Sequence, residues 1–104
     1  MKTYIVLYNY GVESADFTPL MELFDDNSVL EFEDPKIGVF EGKELIGGMF
    51  GRQAPTEKIE ITNFNNVGNK ATADYYIEGN TDSRAGGFKL TISGNKIERL
   101  IVTL

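Results

Sequence analysis

Asp34 is the residue of this sequence that is best placed to act as a base. From Ser28 to Asp34 the residues alternate with the two-residue period of a β-strand. Leu30, Phe32 and Asp34 then share one face, which is predicted to look inward because two of the three are large and apolar. An apolar wall raises the pKa of a carboxyl towards the range useful for proton transfer. The alternative is a strand-end Asp that hydrogen-bonds to the following loop, which is common before a proline such as Pro35.

The composition restricts which groups could carry out a reaction. The chain has 104 residues and contains no histidine and no cysteine. A Ser-His-Asp triad, thiol chemistry and histidine-ligated zinc are therefore excluded, and a general base has to be Asp, Glu, Tyr or Lys. The acidic residues lack the spacing of a calcium-binding loop, so neither a metal nor a cofactor is predicted.

The charge argues against two classes of partner. Between Glu22 and Glu44 acidic residues outnumber basic ones so strongly that this segment accounts for the whole net charge of −6. Nucleic acids and anionic membranes both require clustered Lys and Arg, so we expect no binding to either. The N-terminal apolar run is too short to span a membrane and lacks a signal-peptide cleavage pattern, which makes a cytoplasmic location the default expectation.

Helical segments come first and must position the candidate base. Apolar residues at helical spacing predict a helix over about residues 17–24, and a shorter one over about 41–49. Residues 3–11 fit two structures. Their residue types favour a strand, but Tyr4, Tyr8 and Gly11 also fit a helical face with a glycine stop.

Strand patterns fill the rest of the chain. We expect strands at about residues 28–34, 57–64, 71–78, 84–93 and 97–104. Tyr75 and Phe88 fall on inward-facing rows and are predicted to line or fill a pocket, and Gly86-Gly87 is predicted to form a bulge that bends the sheet. Arg99 interrupts an apolar row, where it could bind an anionic ligand group or pair with an acid at the sheet rim. The last strand is apolar on both faces, which indicates that a second subunit covers the outer one.

Helices followed by a meander of antiparallel strands predict an α+β domain, and the order of elements resembles a known family. It is similar to the SnoaL-like and ketosteroid isomerase-like branch of the nuclear transport factor 2-like superfamily. The motifs that carry this resemblance are Leu23-Phe24-Asp25-Asp26, Glu33-Asp34-Pro35, Glu41-Gly42-Lys43-Glu44-Leu45-Ile46 and Gly94-Asn95-Lys96-Ile97.

The resemblance covers nearly the whole chain and implies a single domain over residues 1–104. The implied fold is a cone-shaped α+β barrel, or cystatin-like roll, in which N-terminal helices pack on a strongly curved antiparallel sheet. The resemblance also implies that residues 3–11 form a helix. Homodimers through the sheet are common in this family, so a homodimer is expected.

The resemblance also implies a reaction. Asp34 matches the position of the catalytic Asp, although the approach to it is two residues longer than in steroid isomerases, and Tyr8 falls near the Tyr that donates a hydrogen bond to the oxyanion. The second donor of those enzymes, a protonated Asp, would fall at or beside Phe88, which cannot donate.

Two hypotheses about function follow. One is an isomerase or cyclase that transfers a proton next to the carbonyl of an apolar polyketide-, terpenoid- or steroid-like molecule, with Asp34 as base, Tyr8 as donor, and Leu30, Phe32, Tyr75, Phe88 and Arg99 at the ligand. The other is a non-catalytic ligand-binding or dimerisation domain. It predicts a cavity largely filled by Tyr8, Phe32, Tyr75 and Phe88, with Asp34 hydrogen-bonded to backbone.

Overall fold

The computed structural model describes residues 1–80 and 82–103 and places helices on one face of a curved six-stranded sheet. The helices are α1 (Lys2–Ser14), α2 (Thr18–Met21) and α3 (Lys43–Arg52). The strands are β1 (Val29–Phe32), β2 (Val39–Glu41), β3 (Ile59–Val67), β4 (Lys70–Ile77), β5 (Gly86–Ser93) and β6 (Lys96–Thr103). No helix of this described part is long and apolar enough to cross a membrane.

The strand order is β2-β1-β6-β5-β4-β3. Neighbouring strands are antiparallel except β1 and β6, which run parallel. The predicted α+β architecture is confirmed, but the sheet is mixed rather than wholly antiparallel. The parallel pair arises because β1 lies beside the last strand, and the chain reaches that strand only after the whole β3–β5 meander.

The ambiguous segment 3–11 is helical and belongs to α1. Gly11 does not stop this helix, which continues to Ser14 and ends at Ala15 in the left-handed conformation (φ 58°). Gly11 is buried where the ring of Phe17 crosses the helix, and a Cβ at this position would overlap that ring. The β-prone residue types are overridden because Tyr4 packs into the core, where it is only 4 % exposed.

Two register shifts interrupt the sheet, and neither lies where the glycines predicted one. The first is between Thr62 and Asn65 on β3, beside Asn63 in the left-handed region (φ 54°). Gly86 and Gly87 instead pair in regular register with β4, so the bulge predicted at these glycines is wrong.

The second register shift explains the two-sided pattern of β6. It lies between Thr91 and Ile92, and it leaves Glu98 as an extra residue on β6. Ile97 and Leu100 therefore turn to the same side, where they are 2 % and 0 % exposed. Ile97 and Leu100 therefore need no second subunit to cover them, whereas Ile101 is only half-buried on the outer face.

The core lies between the helices and the inner face of the sheet, and it contains a buried hydroxyl. Ser28, which is 0 % exposed, donates from Oγ to the carbonyl oxygen of Ile97 (2.5 Å) and accepts from the backbone N–H of Asp25 (2.9 Å). This hydroxyl joins the loop after α2 to β6 at the start of the parallel pair, and it satisfies backbone groups that burial would otherwise leave without partners.

Asn9 fastens α1 to the edge of the sheet. Its Nδ2 donates to the carbonyl oxygen of Ile59 (2.9 Å), and its Oδ1 accepts from the N–H of the same residue (2.9 Å). Ile59 begins β3, which is an edge strand, so the side-chain amide occupies the place of a missing neighbouring strand.

Replacing Asn9 by Asp should weaken this attachment in a pH-dependent way. At neutral pH the second carboxylate oxygen would face the Ile59 carbonyl without a proton to donate. We expect a loss of about 1–3 kcal/mol in the free energy of unfolding. Protonation restores a donor, so folding raises the pKa of the new carboxyl. The deficit relative to wild type should therefore shrink as the pH falls through this raised pKa, and it should be smallest below about 4, where the carboxyl of the unfolded chain is also protonated.

Urea unfolding at neutral and acidic pH measures that deficit. Asn66→Asp is the matched control, because Asn66 is exposed and its side chain has no hydrogen bond to another described residue. A deficit in Asn9→Asp that is equal at both pH values would contradict the pairing described.

Candidate functional site

A cavity of about 180 Å³ lies between α1, α3 and the inner face of the sheet, and we call it the tyrosine pocket. It is lined mostly by apolar side chains, and half of the lining residues are aromatic. The lining residues are Tyr4, Tyr8, Leu30, Phe32, Ile37, Met49, Phe50, Gln53, Pro55, Tyr75, Phe88 and Val102.

The aromatic rings form a continuous wall across the sheet and α1. Tyr75 stacks on Phe88 with ring centroids 4.5 Å apart and an interplanar angle of 16°. Tyr4 meets Phe88 edge to face at 5.6 Å, and Tyr8 follows at 6.0 Å from Tyr4. Gly86 makes room for this stack, since a Cβ there would lie 2.7 Å from Cε1 of Tyr75. The absence of a side chain at Gly86 thus lets Tyr75 lie flat beside β5.

Three tyrosine hydroxyls supply the polar character of the pocket. No hydrogen bond joins the hydroxyls of Tyr4, Tyr8 and Tyr75 to another described residue. Since no buried side-chain oxygen in this part of the chain lacks a partner, these hydroxyls touch accessible space. They are available to a molecule that enters the pocket.

Burial keeps these phenols protonated. It raises the pKa of Tyr8 to about 12, with smaller contributions from Tyr75 and Glu57. Burial also raises the pKa of Tyr4 and that of Tyr75, in the latter case against the opposing charge of Arg84. At neutral pH all three hydroxyls are therefore uncharged and able to donate a hydrogen bond.

Among the residues that the structure describes, none with an acidic or basic side chain belongs to the lining. Besides the tyrosines, its polar side chain is the amide of Gln53. Within residues 1–80 and 82–103 no group of three or more acidic side chains could hold a metal ion. The pocket offers hydrogen-bond donors and apolar surface.

Asp34 lies outside this lining. β1 ends at Phe32, and the chain then turns, so the predicted strand to Asp34 is too long and the two-residue period does not extend to it. Its Oδ1 accepts the backbone N–H of Lys36 (2.9 Å), and its carbonyl oxygen accepts that of Ile37 (3.1 Å). Tyr8 lines the tyrosine pocket and Asp34 does not, so the structure does not bring these two side chains together at one site. The carboxylate has the loop hydrogen bond that the alternative interpretation describes.

The other predicted site residues divide between the tyrosine pocket and the outer face of the sheet. Those that line the pocket are Tyr8, Leu30, Phe32, Tyr75 and Phe88. Arg99 does not line it. Its Nη1 donates to Oε1 of Glu31 (2.5 Å) across the β1–β6 pair, which matches the pairing with an acid.

Sequence reasoning missed lining residues on the helices. Tyr4 lies one turn before Tyr8 on the helical face that the resemblance implied, and this spacing could have pointed to it as a lining residue. Phe50 and Gln53 lie at the end of α3 and just beyond it, where the prediction ended the helix at Met49. No chemical feature of these residues distinguishes them in the sequence.

A second depression, of about 630 Å³, lies on the outside of α1, α2 and α3, and we call it the outer groove. Phe17, Met21 and Gly47 are among the residues that line it. Phe50 and Pro55 line both the outer groove and the tyrosine pocket, so these two residues separate one from the other.

No protein-family model matches this chain, and no curated protein matches it significantly. Solved structures match it over most of its length. A protein from Sinorhizobium meliloti that is proposed to be a polyketide cyclase has a TM-score of 0.72 at 23% identity, with 95% of this chain and 93% of that chain covered. A proposed SnoaL-like polyketide cyclase from Shewanella denitrificans has a TM-score of 0.72 at 13% identity, covering 98% and 88%.

A third similar structure is a hypothetical protein from Catenulispora acidiphila with a ketosteroid isomerase-like fold, in complex with trimethylamine. Its TM-score is 0.72 at 17% identity, with 97% of this chain and 84% of that chain covered. At these identities the likeness establishes the fold. The resemblance to the SnoaL-like and ketosteroid isomerase-like branch, and with it the cone-shaped α+β barrel, is confirmed at that level.

The raised pKa of Tyr8 predicts how stability changes in alkali. An unfolded tyrosine loses its proton near pH 10, whereas folded Tyr8 keeps it to about 12. The stability linked to this proton is complete below about pH 10 and is lost as the pH rises through 12. Tyr8→Phe should therefore lose less thermal stability than wild type between about pH 9 and pH 11. Circular dichroism melting measures this, and an NMR titration midpoint of the Tyr8 ring near 10 would contradict it.

Proposed function

We propose that this protein binds a small, largely apolar molecule in the tyrosine pocket and serves as a ligand-binding domain rather than as a catalyst. The observation that carries the proposal is the set of three protonated tyrosine hydroxyls, without protein partners, at an otherwise apolar cavity. Such a combination is typical of ligand sites, in which apolar walls supply affinity and a few donors fix orientation.

The energetics favour a ligand that carries an oxygen acceptor. Apolar ligand surface that leaves water for the walls formed by Phe32, Met49 and Phe88 gains about 25 cal/mol per Å². A hydrogen bond from Tyr8 or Tyr75 adds about 0.5–1.5 kcal/mol, and it selects ligands that present an acceptor. The small molecule bound by the Catenulispora acidiphila protein lends support to a ligand site within this fold.

The surroundings of Asp34 favour binding over catalysis. No carboxylate within residues 1–80 and 82–103 lines the pocket, and Asp34 already accepts the N–H of Lys36. A base must come within about 3.2 Å of the proton that it removes, or act through a single water. The described arrangement therefore supports the hydrogen-bond donors of the pocket better than it supports a base.

The tyrosine donors can be tested with acetophenone, a small ketone. We expect it to shift the NMR resonances of Tyr4, Tyr8 and Tyr75. Tyr8→Phe and Tyr75→Phe should each weaken binding about two- to tenfold, as the loss of one hydrogen bond predicts. Tyr10→Phe is the matched control, because Tyr10 lies on the outer side of α1 with 49 % of its surface exposed.

Binding that is equally strong in Tyr8→Phe, Tyr75→Phe and the control would contradict the role of the hydroxyls. Failure of acetophenone and of related ketones to shift any pocket resonance would contradict the binding function itself.

A proton-transfer enzyme is the second candidate. Asp34 is half-buried in the turn that also carries the pocket residue Ile37, and the same fold occurs in proteins proposed to be polyketide cyclases. In this reaction the carboxylate would take the proton from the carbon next to a carbonyl. Tyr8 would donate a hydrogen bond to the resulting enolate oxygen.

Deuterium exchange separates the two candidates. Acetophenone in D₂O exchanges its methyl protons through the same enolate, and NMR follows their loss. We expect no exchange above the buffer rate, because no base lines the pocket. Rapid exchange that disappears in Asp34→Asn, while that variant stays folded and still binds the ketone, would establish the enzyme instead.

A homodimer through the sheet and a cytoplasmic location are also retained as proposals. Tyr76 and Ile101 lie half-buried on the outer face of the sheet and could take part in such a contact. Charged groups such as the Arg99–Glu31 pair share this face and would give the contact a polar character.

A further inference from the structure

We infer that Phe50 restricts the ligand to one ring with a short substituent that carries an uncharged oxygen acceptor, such as a monocyclic ketone. This inference rests on the proposed function, because it names the chemical class of the ligand that the tyrosine pocket takes. It also assigns Phe50 as the residue that determines ligand size.

The side chain of Phe50 separates the tyrosine pocket from the outer groove. It is 4 % exposed on α3, and it lines both the tyrosine pocket and the outer groove. On the pocket side its ring lies 6.4 Å from the ring of Tyr8, edge to face. On the groove side it lies 5.2 Å from the ring of Phe17. Contacts on both sides hold the ring in place, so the pocket cannot extend outward without displacing it.

The volume of the pocket sets the size of its occupant. An apolar cavity of about 150 Å³ holds one benzene molecule. The tyrosine pocket, at about 180 Å³, therefore accepts one six-membered ring and a short substituent. Four fused rings exceed this volume, so the inference disfavours the steroid-sized ligands among those that the sequence suggested. The outer groove would provide the missing space if Phe50 were smaller.

The charges around the pocket favour an uncharged ligand. The described lining residues include no Lys or Arg to pair with an anion, and the net charge of −6 repels one. They include no carboxylate to pair with a cation either, and a charge buried without a partner is costly. The hydroxyls of Tyr4, Tyr8 and Tyr75 donate, so the matching group on the ligand is an acceptor such as a carbonyl oxygen.

A pair of ketones that differ by one ring tests the size limit. We expect wild-type protein to bind acetophenone at least about tenfold more tightly than 2-acetonaphthone, a difference of about 1.4 kcal/mol. This order is the reverse of what hydrophobicity alone gives, since the larger ketone buries more apolar surface. Calorimetry gives the affinities, and tyrosine NMR shifts locate the bound molecule.

Phe50→Leu should open the wall and raise the affinity for 2-acetonaphthone about tenfold or more relative to acetophenone. Met21→Leu is the matched control, because Met21 lines the groove but not the pocket, and it should keep the wild-type preference. Phe50→Met serves as a second variant if Phe50→Leu folds poorly, and the wild-type comparison needs no variant.

The outcomes distinguish the inference from the proposed function. If wild type binds both ketones equally well in the pocket, or if Met21→Leu changes the preference as much as Phe50→Leu does, the size limit fails while ligand binding stands. If neither ketone shifts a pocket tyrosine in wild type, the proposed function fails, and the inference fails with it.

Discussion

The pair of hydrogen bonds between Asn9 and Ile59 holds the helical side of this molecule to its sheet. α1 has no side-chain cap at its N-terminus and no charged residue that complements its dipole, so contacts with the rest of the fold determine its position. The amide of Asn9 fixes the rotation of the helix at the edge strand. Tyr4 and Tyr8, which lie on the same helix, then meet the aromatic wall of the sheet and complete the pocket.

The sheet side of the pocket was the predictable part. Tyr75 and Phe88 lie on long strands whose period of two is uninterrupted around them, so their inward direction follows from the sequence. The inward direction of Leu30 and Phe32 was predictable in the same way, because β1 is regular as far as Phe32. The helical side was harder to predict. Residues 3–11 carry β-prone types at helical spacing, and only packing against the sheet decides between the two structures.

The incorrect predictions share a physical cause. A periodic sequence pattern does not show where the strand that it predicts ends or bulges. The alternation through Asp34 ends at Phe32 because a turn follows, and the Asp side chain joins that turn. The bulge in β6 places Ile97 and Leu100 on one face, and its position depends on the register of β5, which a single strand does not encode. Gly86-Gly87 resembles a bulge in sequence, yet it makes room for Tyr75.

The parallel pairing of β1 with β6 has a consequence for the order in which the molecule assembles. β6 is the last of the six described strands in sequence order and lies in the interior of the sheet, between β5 and β1. During synthesis, β1, β2 and α3 emerge long before the strand that joins them to the meander. The hydroxyl of Ser28 likewise gains its hydrogen-bond acceptor, the carbonyl oxygen of Ile97, only once β6 is present. The apolar face of the first half therefore stays uncovered until β6 has been synthesised, which couples cooperative folding to the appearance of that strand.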